Sequence, residues 1–293
     1  MVPTLEPSSA MGAERQDPGA PSRQTAPPSS WEIFASTAHK TRPEHLWLES
    51  VTARGVDHIS VSFRLPPTKS SVRFAEVLEV QRQAGIVLSH MVLGVRRTDV
   101  FVLNTIHLTL PADFWAAPAE CRVGTVRVHT ANERRVNENV RSADLRFTFE
   151  FTNGIQAIGS SSVEFLPEAV YERVRRWPAP GLLDPLQPAP DSGRSRGEIQ
   201  PDLSDPILSD HTADHVSAMA MVCAVENSLM ELHPRQQICS LAIAFLRYSE
   251  LSPPPSYEYL LASSGTFSGR IVQDELTKAT FDGATWVAAG TRL

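Results

Sequence analysis

Residues 74–93, FAEVLEVQRQAGIVLSHMVL, carry the clearest pattern of apolar and polar positions in the chain. Wound as a helix at about 100° per residue, they place Glu76, Glu79, Gln83 and His90 in one narrow stripe, with Arg82 at its border. Apolar side chains fill the opposite arc. Such a helix is predicted to be buried on most sides, and its charged groups then need partners inside the protein. A second apolar helix is predicted over 216–232, directly after a segment rich in His and Asp.

The remaining pattern is mostly of period two. Short strands are predicted at 45–51 and 58–65, ahead of the first helix. Four follow it, at 100–110, 121–130, 140–152 and 155–165. The alternation in RVGTVRVHT and DLRFTFEF marks antiparallel strands with one wet face. Asn153-Gly154 is a hairpin signal joining the last two. After the proline-dense stretch 178–206, strands are predicted at 236–247, 256–263, 266–274 and 283–289. Each half therefore reads as one long apolar helix followed by about four antiparallel strands. The predicted class is α+β, and the plan is that of a double hotdog, two buried helices each wrapped by an antiparallel sheet. Other α+β arrangements fit the same periodicity. The predicted organisation is a disordered tail over 1–30, a first domain over 31–177, a linker over 178–206 and a second domain over 207–293.

Composition narrows the function. The 293 residues suffice for one large domain or two of ordinary size. A formal charge of −6 argues against a nucleic-acid partner. The three cysteines, Cys121, Cys223 and Cys239, have no metal spacing and fit a reducing cytoplasm, with Cys as a small hydrophobe. No apolar run is long enough for a membrane span, and the first residues lack the pattern of a signal peptide. A cytoplasmic protein without a membrane partner is expected.

Four segments bring in a resemblance. Ala38 to His45, AHKTRPEH, resembles the His-Lys opening of the A-factor (γ-butyrolactone) biosynthesis proteins of actinomycetes. Glu79 to Gly85, EVQRQAG, is similar to that family's first-helix motif E-x-x-R-Q-A-G. Asp210 to Met219, DHTADHVSAM, resembles its D-H-P-x-D-H-V-P-G-M, and Phe245 to Leu251, FLRYSEL, its F-x-R-Y-x-E-L. The resemblance implies a double hotdog and an acyl transfer. A β-ketoacyl group would pass from a carrier-protein or CoA thioester to the hydroxyl of dihydroxyacetone phosphate, without a cofactor, on the way to a signalling molecule. It leaves room for a homodimer. The second helix departs from the motif, with Cys223, Glu226 and Asn227 where E-x-x-R-Q would stand, and Ser217-Ala218 replaces Pro-Gly.

Ester formation from a thioester needs a base for the attacking hydroxyl, donors for the developing oxyanion, and cations or amides for the acceptor's phosphate. Glu79 is the candidate base, and backbone N–H groups at a helix N-terminus are the candidate oxyanion donors. Arg82, Lys40 and Arg42 are phosphate candidates. In hotdog dehydratases a loop His of one unit meets an acid on the other unit's helix; carried over, His211 would pair with Glu79. His39, Lys40, Gln83, Asp214, His215 and Glu226 complete the expected substrate-binding set. Plain structural roles compete. Glu79 and Arg82 can simply pair along the helix. Asp214 can cap the second helix. Glu226 can be a buried acid satisfied by Asn227 or Arg247, and Cys223 a core thiol. His211 and His215 lack a third ligand, so no metal is expected. A hotdog dehydratase, a thioesterase and a non-catalytic acyl-binding protein are the competing functions.

Overall fold

A computed structural model describes residues 30–66, 72–116, 120–176, 194–202, 205, 207–208 and 214–287. The residues 1–29 of the predicted tail lie outside them, as does His211. Helix α1 (Ser30–Thr37) leads into strands β1 (Leu48–Arg54) and β2 (His58–Arg64) and the long helix α2 (Phe74–Met91). Strands β3 (Asp99–Thr109), β4 (Val123–Val136), β5 (Asn139–Phe151) and β6 (Gln156–Pro167) follow. Helix α3 (Glu168–Arg176) and strand β7 (Arg194–Glu198) precede helix α4 (Ala218–Leu232). Strands β8 (Gln236–Phe245), β9 (Ser256–Leu261), β10 (Thr266–Gln273) and β11 (Leu276–Val287) complete the described chain.

All 11 strands form one sheet in the order β1-β2-β4-β5-β6-β3-β8-β11-β10-β9-β7. The order repeats as a mirror about its centre. β2, α2 and β3 to β6 of the first half match β7, α4 and β8 to β11 of the second. The halves meet at β3 and β8, an antiparallel pair running from Thr105 opposite Ala244 to Thr109 opposite Ser240. Strand β1 has no counterpart and extends one edge. The architecture is a double hotdog, α+β, as the periodicity predicts.

Two differences from the sequence reading have plain causes. The proline-dense stretch 178–206, expected to be linker throughout, supplies β7. That strand, RSRGE, is an edge strand whose charged side chains erase any apolar period. The last strand begins at Leu276 rather than near 283, because Thr277 and Lys278 are buried polar residues that blur the alternation.

Helix α2 sits on the sheet with 15 of its residues buried, among them Val77, Val80, Ala84 and Val87. It also touches α4. Gln81 fixes its height: its side-chain amide donates to the carbonyls of His107 on β3 and Ser160 on β6, each at 3.1 Å. Gly159 makes room, since a Cβ there would stand 2.1 Å from the Gln81 oxygen. At the start of α2, Glu76 reaches back to accept from the Arg73 N–H at 2.9 Å, satisfying one of the unpaired donors of a helix N-terminus.

Burial pushes the Glu76 carboxyl up to about 7, against the pull of the Arg73 amide and guanidinium. The fold therefore favours its protonated form. The stability this contributes is full below the ordinary value of 4.5 and is lost as pH rises through about 7. Urea unfolding across pH 4.5 to 7 should show wild-type stability falling with pH, and Glu76→Gln should flatten that slope. An unchanged slope in the variant would remove Glu76 from this role.

Candidate active site at the seam of the two halves

The polar stripe of α2 folds into a closed network. Glu79 has no exposed surface. Arg82 grips it with two parallel bonds, Nε to Oε2 at 2.7 Å and Nη2 to Oε1 at 2.8 Å. Lys40 Nζ lies 3.0 Å from Oε1, also wholly buried, and Gln83 Nε2 donates to the same oxygen at 3.0 Å. Burial alone would raise this carboxyl, but Arg82 and Lys40 overcome it and hold it at about 2. Gln83 continues the network to the backbone, donating to the His45 carbonyl and accepting from the Trp47 N–H. His39 meets His90 at the far end of the stripe, Nε2 to Nε2 at 2.8 Å, and both rings pack on Phe101. One ring must donate and the other accept, and burial pushes the His90 pKa down.

The neighbouring face of α2 is different. Gln81, Arg82, Gly85, Ile86 and Ser89 line a cavity of about 770 Å³ at the seam of the halves. Its other walls come from β3, from the start of α4 and from the segment after β8. Ile86, Val100, Leu103, Ile106 and Met221 make much of it apolar. Arg82 stands at the border of the two faces. Its Nε and Nη2 are held by Glu79 from behind, while the residue forms part of the cavity wall.

The N-terminus of α4 opens on this cavity through Ser217, Ala218 and Met219. Ser217 caps the helix, its hydroxyl accepting from the Ala220 N–H at 3.2 Å. The capping role that the sequence offers to Asp214 is thus taken by Ser217. The amides of Ala218 and Met219 have no acceptor among the described residues. Asp214 instead accepts a bond from His215 Nδ1 at 2.6 Å and from the Tyr171 hydroxyl at 3.2 Å. Partial burial would raise this carboxyl, but His215, Arg175 and Tyr171 hold it below the usual range. With Nδ1 engaged, Nε2 is the His215 nitrogen open to a ligand. The ring stands edge-on to Tyr248, and Arg175 lies over that same Tyr248 while bonding Glu250 at 2.7 and 2.9 Å. Burial and Asp214 push the Tyr171 hydroxyl up to about 12, so it remains a donor.

The expected site residues therefore separate. Arg82 and His215 line the cavity, and Asp214 orients His215. Glu79, with Lys40 and Gln83 bonded to it, stands behind Arg82, His39 meets His90 further along the helix, and none of the four is on the cavity wall. Glu226 also stays off that wall. Its carboxylate is satisfied by the amides of Phe74 and Ala75 and by Arg73, while Asn227 is exposed. Cys223 is a buried thiol that burial holds protonated, as a core role requires. Tyr171 and Tyr248 line the cavity without a role assigned from sequence, and so does Arg247, which donates to the Thr277 carbonyl and is not among the partners of Glu226 given above. Arg247 and Tyr248 carried a signal, the segment FLRYSEL; Tyr171 lies on a mostly polar helix and carried none. Because Glu79 is the wholly buried carboxylate that both Arg82 and Lys40 face, Glu79→Gln should cost on the order of 3–5 kcal/mol of stability in urea unfolding. A loss below about 1 kcal/mol would show that the network contributes little.

No protein-family model matches the chain. The chain is 26% identical over 200 residues, 60% of its length and 67% of the relative's, to the 2-oxo-3-(phosphooxy)propyl 3-oxoalkanoate synthase of Streptomyces virginiae. Among solved structures it resembles a Lactobacillus plantarum protein assigned as an oleoyl thioesterase, at a TM-score of 0.55 and 13% identity over 80% of this chain and 97% of that one. The 12:0-ACP thioesterase of Umbellularia californica follows at 0.54 and 12%, over 80% and 99%. These structural likenesses speak for the fold. Among the described residues no helix is long and apolar enough to cross a membrane. Sequence motifs and the partial match to the synthase agree: the chain resembles the A-factor (γ-butyrolactone) biosynthesis proteins, and the mirrored sheet gives it a double-hotdog fold.

Proposed function

We propose that the protein is an acyltransferase that moves a β-ketoacyl group from a carrier-protein or CoA thioester to the hydroxyl of dihydroxyacetone phosphate. The observation that carries this reading is the convergence of Arg82, the His215–Asp214 pair and the open N-terminus of α4 on one largely apolar cavity. The name of the Streptomyces virginiae relative supports the choice of substrates.

Each part of the cavity has a task in this reading. The apolar wall of Ile86, Val100 and Leu103 takes the acyl chain. The Ala218 and Met219 amides face the thioester carbonyl and stabilise the oxyanion as it forms. Arg82 and Arg247 offer guanidinium groups to the phosphate. His215 Nε2 takes the proton of the attacking hydroxyl as its oxygen bonds to the carbonyl carbon. The tetrahedral intermediate then expels the thiolate, which recovers that proton from the imidazolium. Asp214 holds the ring and stabilises its charged form. Glu79, the candidate base from sequence, is here the residue that positions Arg82. A carboxyl held at about 2 and closed off from water is a weak proton acceptor.

The test is to incubate purified protein with a β-ketoacyl thioester, with and without dihydroxyacetone phosphate, and follow products by mass. Ester only in the presence of the phosphate supports transfer. Free acid in both samples would replace this reading with a thioesterase, loss of water from a 3-hydroxyacyl thioester with a dehydratase, and no turnover at all with an acyl-binding protein. His215→Ala should lower the rate by about 10²–10⁴-fold, and Arg82→Gln should mainly raise KM for the phosphate. A His215→Ala enzyme within about threefold of wild type would exclude His215 as base.

A further inference from the structure

The mirrored element order gives the first 15 positions of α2 counterparts on α4. The helices begin at Phe74 and Ala218. Counted from these starts, Glu79 matches Cys223, Arg82 matches Glu226 and Gln83 matches Asn227, the same correspondence the motif gives. The helix ends correspond as well: Ala218 and Met219 open α4, and Phe74 and Ala75 open α2.

The two seam sites use these parts in opposite ways. In the first, Arg82 of α2 shares a cavity wall with the start of α4, where the Ala218 and Met219 amides have no acceptor among the described residues. In the second, Glu226 of α4 reaches the start of α2. It accepts from the Phe74 N–H at 2.6 Å and the Ala75 N–H at 3.2 Å. Arg73 Nε stands 3.6 Å from the same carboxylate, while Arg73 Nη1 bonds Asp205 at 2.8 Å. Glu226 is 2% exposed; burial pushes its pKa up, and Arg73 with the Phe74 and Ala75 amides opposes that rise. First-turn amides of a helix attract anions. At one seam they are open to a ligand; at the other they hold a side chain of the same polypeptide.

We infer that Glu226 is an internal ligand that fills the second half's anion site at the N-terminus of α2. Of the two long helices, α4 then has a start that faces the cavity and α2 a start sealed from within. This inference depends on the symmetry of the fold and on Glu226's contacts, and holds whichever acyl-thioester reaction the open site runs. The class of ligand that the vacated site would take is a small carboxylate.

The experiment is chemical rescue in the full-length chain. Thermal unfolding of wild type and Glu226→Ala is followed in increasing sodium formate, with sodium chloride at equal ionic strength as control. The variant should melt below wild type, and formate should raise its midpoint saturably beyond the effect of chloride. Wild type, which shares the open start of α4 with the variant, should gain less from formate than the variant does. A variant that gains no more from formate than from chloride, or a wild type that gains as much, overturns the proposal. If Glu226→Ala does not fold, Glu226→Gln keeps the volume and one acceptor. Hydrogen exchange of the Phe74 and Ala75 amides should then run about tenfold faster than in wild type, with the Ala218 and Met219 amides unchanged. Exchange at the wild-type rate at Phe74 and Ala75 overturns it equally.

Discussion

A carboxylate closed off from water must be matched by positive charge, and Glu79 sets the plan of the site through that requirement. Its pairing with Arg82 and Lys40 ties three segments together: the middle of α2, the turn that follows α1, and, through Gln83, the backbone entering β1. Desolvation makes such a cluster costly unless every member is present and well placed. The same cost restricts Arg82 to one geometry at the cavity wall. A guanidinium fixed from behind loses little freedom on meeting an anion, which is the physical advantage of keeping an acid where no substrate can reach it.

The cavity owes its position to the joining of two repeats. A single hotdog half has one apolar helix and one curled sheet, and neither alone makes a cleft with a helix N-terminus aimed across it. The β3–β8 pairing brings the halves together so that α4 begins beside the middle of α2. Chemistry then concentrates where the wall changes from aliphatic to polar. There, Arg82 meets His215 and the first amides of α4, more than a hundred residues further along the chain.

Much of this was legible in the sequence for identifiable reasons. Both long helices announce themselves by apolar side chains on nearly all faces, and β4 and β5 by strict alternation. Arg82 and His215 stand in motifs, and both line the cavity. Strand β7 was hidden because RSRGE, at the edge, is polar on both faces. The separation of Glu79 from the cavity wall was hidden because stripe and cavity face adjoin on the same helix, and one-dimensional periodicity cannot tell which of two neighbouring arcs meets open space. Tyr171 was invisible because its helix packs at the rim of the seam and carries mostly charged residues. The contact from Glu226 to the start of α2 spans 152 residues and involves backbone donors, which no side-chain pattern records.

The continuity of the sheet across β3 and β8 has one more consequence, for how such a molecule can change. In an assembly of identical subunits, any substitution at the position of Arg82 is written into both seams together. An acid there would cost both of them their guanidinium. A single polypeptide carrying both repeats escapes this coupling. One seam is free to keep its reactivity while its twin drifts into a role of pure cohesion.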